Sequence, residues 1–130
     1  MTTEGTGPTI TDLSHVQITV PKGAEPEARR FYCEFLGLRE IRKPAPLQGR
    51  GGLWLQLGAQ QVHIGTEDGV DRRATRAHVG YQVRDLEGWR GVLAARGIAV
   101  EDGVQIPGWR RFEFRDPFGN RIEMLEPSAS

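Results

Sequence analysis

One stretch of this chain is written twice. His15-Val16-Gln17-Ile18-Thr19-Val20 returns 63 positions later as His78-Val79-Gly80-Tyr81-Gln82-Val83. In the first copy Val16, Ile18 and Val20 alternate with His15, Gln17 and Thr19, which is the period of a strand with one face buried. Further landmarks repeat at an offset of 60: Gly37 with Gly97, Val62 with Ile122, His63 with Glu123, and Ile64 with Met124. A chain of 130 residues that repeats itself in this way predicts one compact body built from two similar halves. Neither half alone has enough apolar residues for a core, so each must bury itself against the other.

Between these landmarks, Glu25 to Leu36 predicts a helix. Pro26 is tolerated in its first turn. Ala28, Phe31, Tyr32, Phe35 and Leu36 form its apolar stripe, and Gly37 stands where a left-handed cap closes a helix. Leu38 to Arg42 starts a strand, and Pro44 to Gly52 reads as a long mobile loop of the kind that covers a site. Leu53 to Leu57 alternates leucine with Trp54 and Gln56; Gln60 to Gly65 sets Val62 and Ile64 against Gln61 and His63. In the second half Asp85 is a good N-cap. Leu86, Trp89, Val92 and Leu93 make a helical stripe, and Gly97 closes it. Arg110 to Arg115 alternates Phe112 and Phe114 with Arg111, Glu113 and Arg115. Asp116 to Asn120 is a turn, and Arg121 to Leu125 is the last strand. The order is βαβββ, twice. The predicted fold class is therefore α+β, with two βαβββ modules paired into a curved mixed sheet around a central cleft. Residues 12–126 read as a single domain with modules at about 12–65 and 78–126. Residues 1–11 read as a flexible tail. Residues 66–77, where Asp68 and Asp71 interleave Arg72, Arg73 and Arg76, read as a solvated linker.

Charge narrows the partners. Seventeen basic residues balance seventeen acidic ones and the pI is near 6.8. That argues against a nucleic-acid groove or an anionic membrane surface, both of which need a clustered basic surplus. No apolar run is long enough to predict a membrane span, and residues 1–8 lack the pattern of a signal peptide. Cys33 is the single cysteine, so no intrachain disulfide can form, and a cytoplasmic setting is expected. Its neighbours Phe31, Tyr32, Phe35 and Leu36 predict a buried filler.

Strand parity then gathers the reactive side chains. In each strand the aliphatic residues belong under the helices, so His15, His63, His78 and Glu123 all point into the trough. Three histidines and a carboxylate are ligands for a divalent transition metal such as Zn, Fe, Mn, Ni or Co. His15, His78 and Glu123 alone make a two-histidine, one-carboxylate face with positions left open. A cleft that keeps its histidines for hydrogen bonding to a ligand, without metal, is the other outcome the pattern allows. By the same parity Gln17, Trp54, Gln56, Gln61, Arg111 and Glu113 are expected to contact a small-molecule substrate, with Trp109 near the rim. No G-x-S-x-G, P-loop or G-x-G-x-x-G competes.

The strand His15 to Val20, the Ala28-Arg29-Arg30-Phe31-Tyr32 helix ending at Leu36-Gly37-Leu38, Leu53-Trp54-Leu55-Gln56-Leu57-Gly58, the strand His78 to Val83, and Asp116-Pro117-Phe118-Gly119-Asn120-Arg121-Ile122-Glu123 together resemble the vicinal oxygen chelate superfamily. It includes glyoxalase I, extradiol dioxygenases, fosfomycin-resistance thiol transferases and bleomycin-resistance binding proteins. The resemblance spans about residues 12–126. It implies paired modules, a metal in the trough and a homodimer whose modules pair within or across chains. Residue by residue, it implies ligands at His15, His78 and Glu123. At the fourth position glyoxalase I has a glutamate, and this chain has His63. Carboxylate ligands carry the glyoxalase proton transfer, so the resemblance points to Glu123 as catalytic; His63 departs from that pattern, and its catalytic role is expected only because an imidazole is a workable base. The activity expected is a glyoxalase-like lyase or isomerase acting on a small oxygen-chelating substrate. The superfamily also offers sequestration of an antibiotic or other natural product without chemistry, and a thiol transferase.

Overall fold

The computed structural model describes residues 6–128. Strand β1 (His15–Val20) is followed by a helix that begins as α1 (Glu25–Ala28) and continues as a π-helix (Arg29–Phe35). Then come β2 (Arg39–Ile41), a 3-10 helix (Ala45–Arg50), β3 (Leu53–Leu57) and β4 (Gln60–Thr66). The second half contains β5 (His78–Gln82), α2 (Leu86–Ala95), β6 (Trp109–Arg115) and β7 (Arg121–Pro127). The strands form a four-stranded sheet, ordered β1-β4-β3-β2, and a three-stranded sheet, ordered β5-β7-β6. In each, the outer strand pairs parallel with the last strand of its module and the remaining pairs are antiparallel.

The duplication is visible rung by rung. Gln17 lies opposite His63 and Trp54 lies opposite His63 on the other side. In the second sheet Gly80 and Glu113 flank Glu123 in the same way. The α+β class with two related modules stands. Three details differ from expectation. The sheets are two, with no ladder joining β1 to β5 among the described residues. The second module also lacks its second strand: Glu101 makes only an isolated bridge to Glu113. The segment that follows is kept out of a ladder by Gly103, Pro107 and Gly108, and it wraps around Arg111, whose Nη1 donates to the Val104 carbonyl at 2.8 Å.

The third difference is the first helix, expected to be α-helical through Leu36. From Arg29 onward it widens, and the Leu36 amide donates to the Phe31 carbonyl, five residues back, at 2.9 Å. The adjacent residues Phe31 and Tyr32 both enter the core from this widened turn. Gly37 then closes the helix at φ 85°, as its sequence position predicted.

One core runs through both modules. It gathers Leu53, Leu55, Val62 and Ile64 of the first sheet, Phe31 and Tyr32 of the first helix, Phe112, Phe114, Ile122 and Met124 of the second sheet, and Leu86 and Leu93 of α2. Phe35 meets Trp89 edge to face at 6.4 Å, joining the helices. A polar junction completes the join. Asp116, 2% exposed, accepts from the Tyr32 hydroxyl at 2.5 Å and from the amides of Phe118 and Asn120 at 2.9 and 2.8 Å. Asn120 Nδ2 in turn donates to the Thr19 carbonyl at 2.9 Å.

The linker is tied down where solvation was expected. Arg72 is 7% exposed, and its guanidinium donates to the carbonyls of Thr19 at 2.8 Å and Glu67 at 2.5 Å. The stretch expected to be a mobile loop is the 3-10 helix, anchored by Gln48 Nε2 on the Lys43 carbonyl at 3.0 Å and by the Gly52 amide on Glu25 Oε2 at 3.0 Å. Cys33 is partly buried against the core. Of the expected tail, residues 1–5 lie outside the described residues, as do residues 129–130; residues 6–11 carry no helix or strand. Among the described residues no helix is long and apolar enough to cross a membrane.

Candidate functional site

In the first sheet, the face turned away from the core carries His15 and Gln17 of β1, Trp54 and Gln56 of β3, and Gln61 and His63 of β4. Three of these form a ladder of rings. His63, 6% exposed, has Trp54 at 3.9 Å with planes 5° apart on one side and His15 at 4.0 Å and 19° on the other. Its Nε2 meets Gln61 Oε1 at 2.8 Å. Gln61 Nε2 donates to Gln56 Oε1 at 3.2 Å, and Gln56 Nε2 donates to the carbonyls of Gly58 and Gln60 at 2.8 and 3.1 Å. Burial, with the neighbouring His15, pushes the His63 imidazole below its ordinary pKa. Both influences favour the uncharged ring. Gln17, Trp54 and His63 line a pocket of about 290 Å³ together with Lys43, Leu47 and Arg50. Those last three residues did not stand out in the sequence, because only the folded path from Lys43 through the 3-10 turn brings them to this face.

The second sheet holds the other half. His78 Nδ1 lies 3.0 Å from the Arg76 carbonyl, and Nε2 lies 3.1 Å from Glu123 Oε1. A carbonyl only accepts, so Nδ1 carries the hydrogen. In a neutral ring Nε2 then aims a lone pair at a carboxylate oxygen. Two acceptors at that distance repel unless a cation lies between them, either a proton on the ring or a metal ion. The other Glu123 oxygen is paired with Arg111 Nε. Burial raises the Glu123 pKa, but Arg111 and then His78 outweigh it and hold the carboxyl below the usual range. Glu113, on the neighbouring rung, is ion-paired with Arg121 and lies 3.4 Å from Arg111.

Parity therefore placed these side chains on the faces it predicted, but their company differs. Gln56, Gln61, Arg111 and Glu113, expected to contact substrate, spend their polar groups on neighbouring protein atoms. The four expected metal ligands form two pairs, His15 with His63 and His78 with Glu123. Among the described residues no group of three or more His, Cys, Asp or Glu side chains is placed to share one ion, which corrects the expected convergence within a single chain. The first pair has a further constraint. An imidazole binds a metal in its ring plane at about 2.0–2.1 Å. Rings stacked nearly parallel at 4.0 Å cannot direct two in-plane lone pairs to one such point.

The donor set still suits a metal. One oxygen of Glu123 is left over by Arg111. The Nδ1–H of His78 on a carbonyl is the outer hydrogen bond that commonly orients a metal-binding histidine.

Two modules of this topology, each offering a polar sheet face with matching rungs, define a protein of the paired-βαβββ kind. The Glyoxalase/Bleomycin resistance protein/Dioxygenase superfamily model matches residues 12–124, and the chain belongs to that superfamily. It is 42% identical to a glyoxalase-family protein from Bacillus anthracis, with a TM-score of 0.85 over 94% of this chain and 99% of that one. At lower identity it shares the fold of FosX, the fosfomycin resistance protein of Listeria monocytogenes solved with Mn(II) and sulfate. That match has 18% identity and a TM-score of 0.71 over 92% of this chain and 93% of that one. It also shares the fold of TnmS3, an antibiotic-binding protein from Streptomyces sp. CB03234, with 22% identity and a TM-score of 0.70 over 94% and 100% of the two chains. No curated protein matches the sequence.

Proposed function

We propose that this protein is a metal-dependent, glyoxalase-like enzyme of the lyase or isomerase type, acting on a small substrate through neighbouring oxygens. The observation that carries this is the approach of His78 Nε2 to Glu123 Oε1 at 3.1 Å, with Nδ1 of the same ring held on the Arg76 carbonyl, so that a nitrogen and a carboxylate oxygen face one point. His15, His78 and Glu123 would hold a divalent transition ion, and FosX, with its Mn(II), is a precedent within the fold. Such an ion supplies Lewis-acid polarisation of a substrate oxygen.

The chain's own groups do the rest. Arg111 keeps Glu123 ionised and engages one of its oxygens. The neutral His63 is the base, and the pocket that it shares with Trp54, Lys43 and Arg50 receives the substrate. Because the ligand pairs lie in different modules, a second copy of the chain completes the set, as a homodimer. Strands β1 and β5 support this, since both are unpaired edges. They flank a groove of about 510 Å³ lined by apolar residues that include Leu13, Val16, Ile18, Val70 and Val79.

Sequestration of an antibiotic or other natural product, for which the antibiotic-binding protein TnmS3 is a precedent within the fold, is the weaker alternative here, because His63 covers one face of Trp54 that would otherwise stack on a planar guest. Metal analysis of protein purified without chelator tests the proposal. About one divalent ion per chain is expected, lost in His78→Ala and kept in His63→Ala. A metal-free wild type, or full occupancy in His78→Ala, would defeat it.

A further inference from the structure

We infer that Gln56 and Gln61 are positioning residues that hold His63 in the tautomer protonated at Nε2, so that Nδ1 is the nitrogen that acts on the bound molecule. The chain of reasoning starts at the backbone, where orientation is not negotiable. Gln56 Nε2 sits between two carbonyl oxygens, Gly58 at 2.8 Å and Gln60 at 3.1 Å. Turning this amide over would aim Oε1 at two other acceptors, so the NH2 group must face them and Oε1 must face Gln61. Gln61 then has to present Nε2 to Gln56 Oε1, at 3.2 Å, and its own Oε1 is left for His63 Nε2, at 2.8 Å. An amide oxygen only accepts. The hydrogen therefore resides on His63 Nε2, and in the neutral ring the lone pair resides on Nδ1.

Two further observations bear on what Nδ1 can do. It has no hydrogen-bond partner among the described residues. Tyr81 Oη is the only fully buried side-chain polar atom without a partner there, so Nδ1 is not completely sealed. The rings of Trp54 and His15, each about 4 Å away, leave His63 no room to tilt. The result is a rigidly held Nδ1 lone pair on a ring that lines the pocket, an acceptor for a hydroxyl or N–H of the bound molecule. Sequence parity assigned Gln56 and Gln61 to substrate contact; both amides are instead consumed in setting this one nitrogen. The inference takes from the proposed function only that His63 lies in the site.

Nitrogen-15 NMR of the full chain, histidine-labelled and stripped of metal with EDTA, tests it. His63 is assigned by the signal lost in His63→Asn. In wild type, His63 is expected to show an unprotonated Nδ1 and an Nε2–H proton slow enough in exchange to be seen in water. Gln61→Leu should lose that proton signal, and Gln61→Glu, which still offers an acceptor, should keep it. The decisive variant is Gln56→Leu, at a residue that makes no hydrogen bond to His63, yet it should abolish the slow Nε2–H by freeing Gln61 to turn. A hydrogen on Nδ1 in wild type, or an unchanged His63 signal in Gln56→Leu, would overturn the inference. Should Gln61→Leu fail to fold, the other two variants decide. Because the sample holds no metal, failure of the metal proposal and failure of this relay are read separately.

Discussion

Replacing Asp116 by alanine removes the polar junction between the modules. Four donors point at this carboxylate: the Tyr32 hydroxyl, the amides of Phe118 and Asn120, and Asn120 Nδ2 at 2.9 Å. The carboxylate is only 2% exposed, so the donors it abandons are largely cut off from water. An orphaned buried donor costs about 1–3 kcal/mol. Three of the four belong to the Asp116–Asn120 turn, which can relax toward solvent, and this brings the expected loss to about 3–5 kcal/mol rather than the full sum. That is a large part of the total stability of a domain this size, usually about 5–15 kcal/mol. Tyr32→Phe removes one donor and leaves Asp116 three, so about 1–2 kcal/mol is expected. In the Asp116→Ala background the same tyrosine change should cost close to nothing, because the hydroxyl has already lost its acceptor. Urea unfolding of the four proteins, followed by circular dichroism, measures the cycle. A loss below about 1 kcal/mol for Asp116→Ala, or strict additivity of the two changes, would refute the junction.

Arg111→Gln leaves Glu123 with burial as the dominant influence, so its pKa should rise. In wild type the lowered pKa stabilises the fold above the unfolded carboxyl value, and that contribution fades as pH falls through the folded one. The variant should therefore lose about 3 kcal/mol near neutral pH and much less near pH 4, as read by urea unfolding at both. Gly52→Ala should be poorly tolerated, because φ is 84° and a Cβ there runs into the Ile64 carbonyl oxygen. A loss of about 2 kcal/mol or more is expected in the melting curve. Arg72→Ala abandons the carbonyls of Thr19 and Glu67 and should cost about 2–3 kcal/mol by the same measurement.

The halves of this molecule were legible because a strand face is a matter of parity, and parity survives folding. Val62 and Ile64 point one way and His63 the other whatever they meet, and the offset of 60 marks His63 and Glu123 as counterparts before any coordinates. Asp85 and Gly37 were legible for a similar reason, since a cap is a local device. What faces what across the chain was not legible. Arg111 reads as a cleft residue, and nothing local says that its guanidinium will be taken by Glu123. Gln61 reads as a substrate contact until Gln56 is found holding its amide. Asp116 reads as a turn residue, and its partner Tyr32 lies 84 positions away. The π-helical widening escaped as well, because the stripe Ala28-Phe31-Tyr32-Phe35 also satisfies an α-helix. The pairing of modules is set by how two edges meet, and one chain's sequence does not state whether they meet in one copy or in two.

Complementation between two disabled copies addresses the assembled metal site most directly. His15→Ala and Glu123→Ala, each purified alone, are expected to bind no divalent ion. Refolded together at equal amounts, they form hybrids in which one of the two sites has His15 from one copy and intact His78 and Glu123 from the other. Metal occupancy should then recover to about a quarter of the wild-type level, the statistical share of intact sites in a randomly mixed dimer. Zero recovery from a mixture that demonstrably contains hybrids, or retained metal in either single variant, would contradict a centre built from two copies.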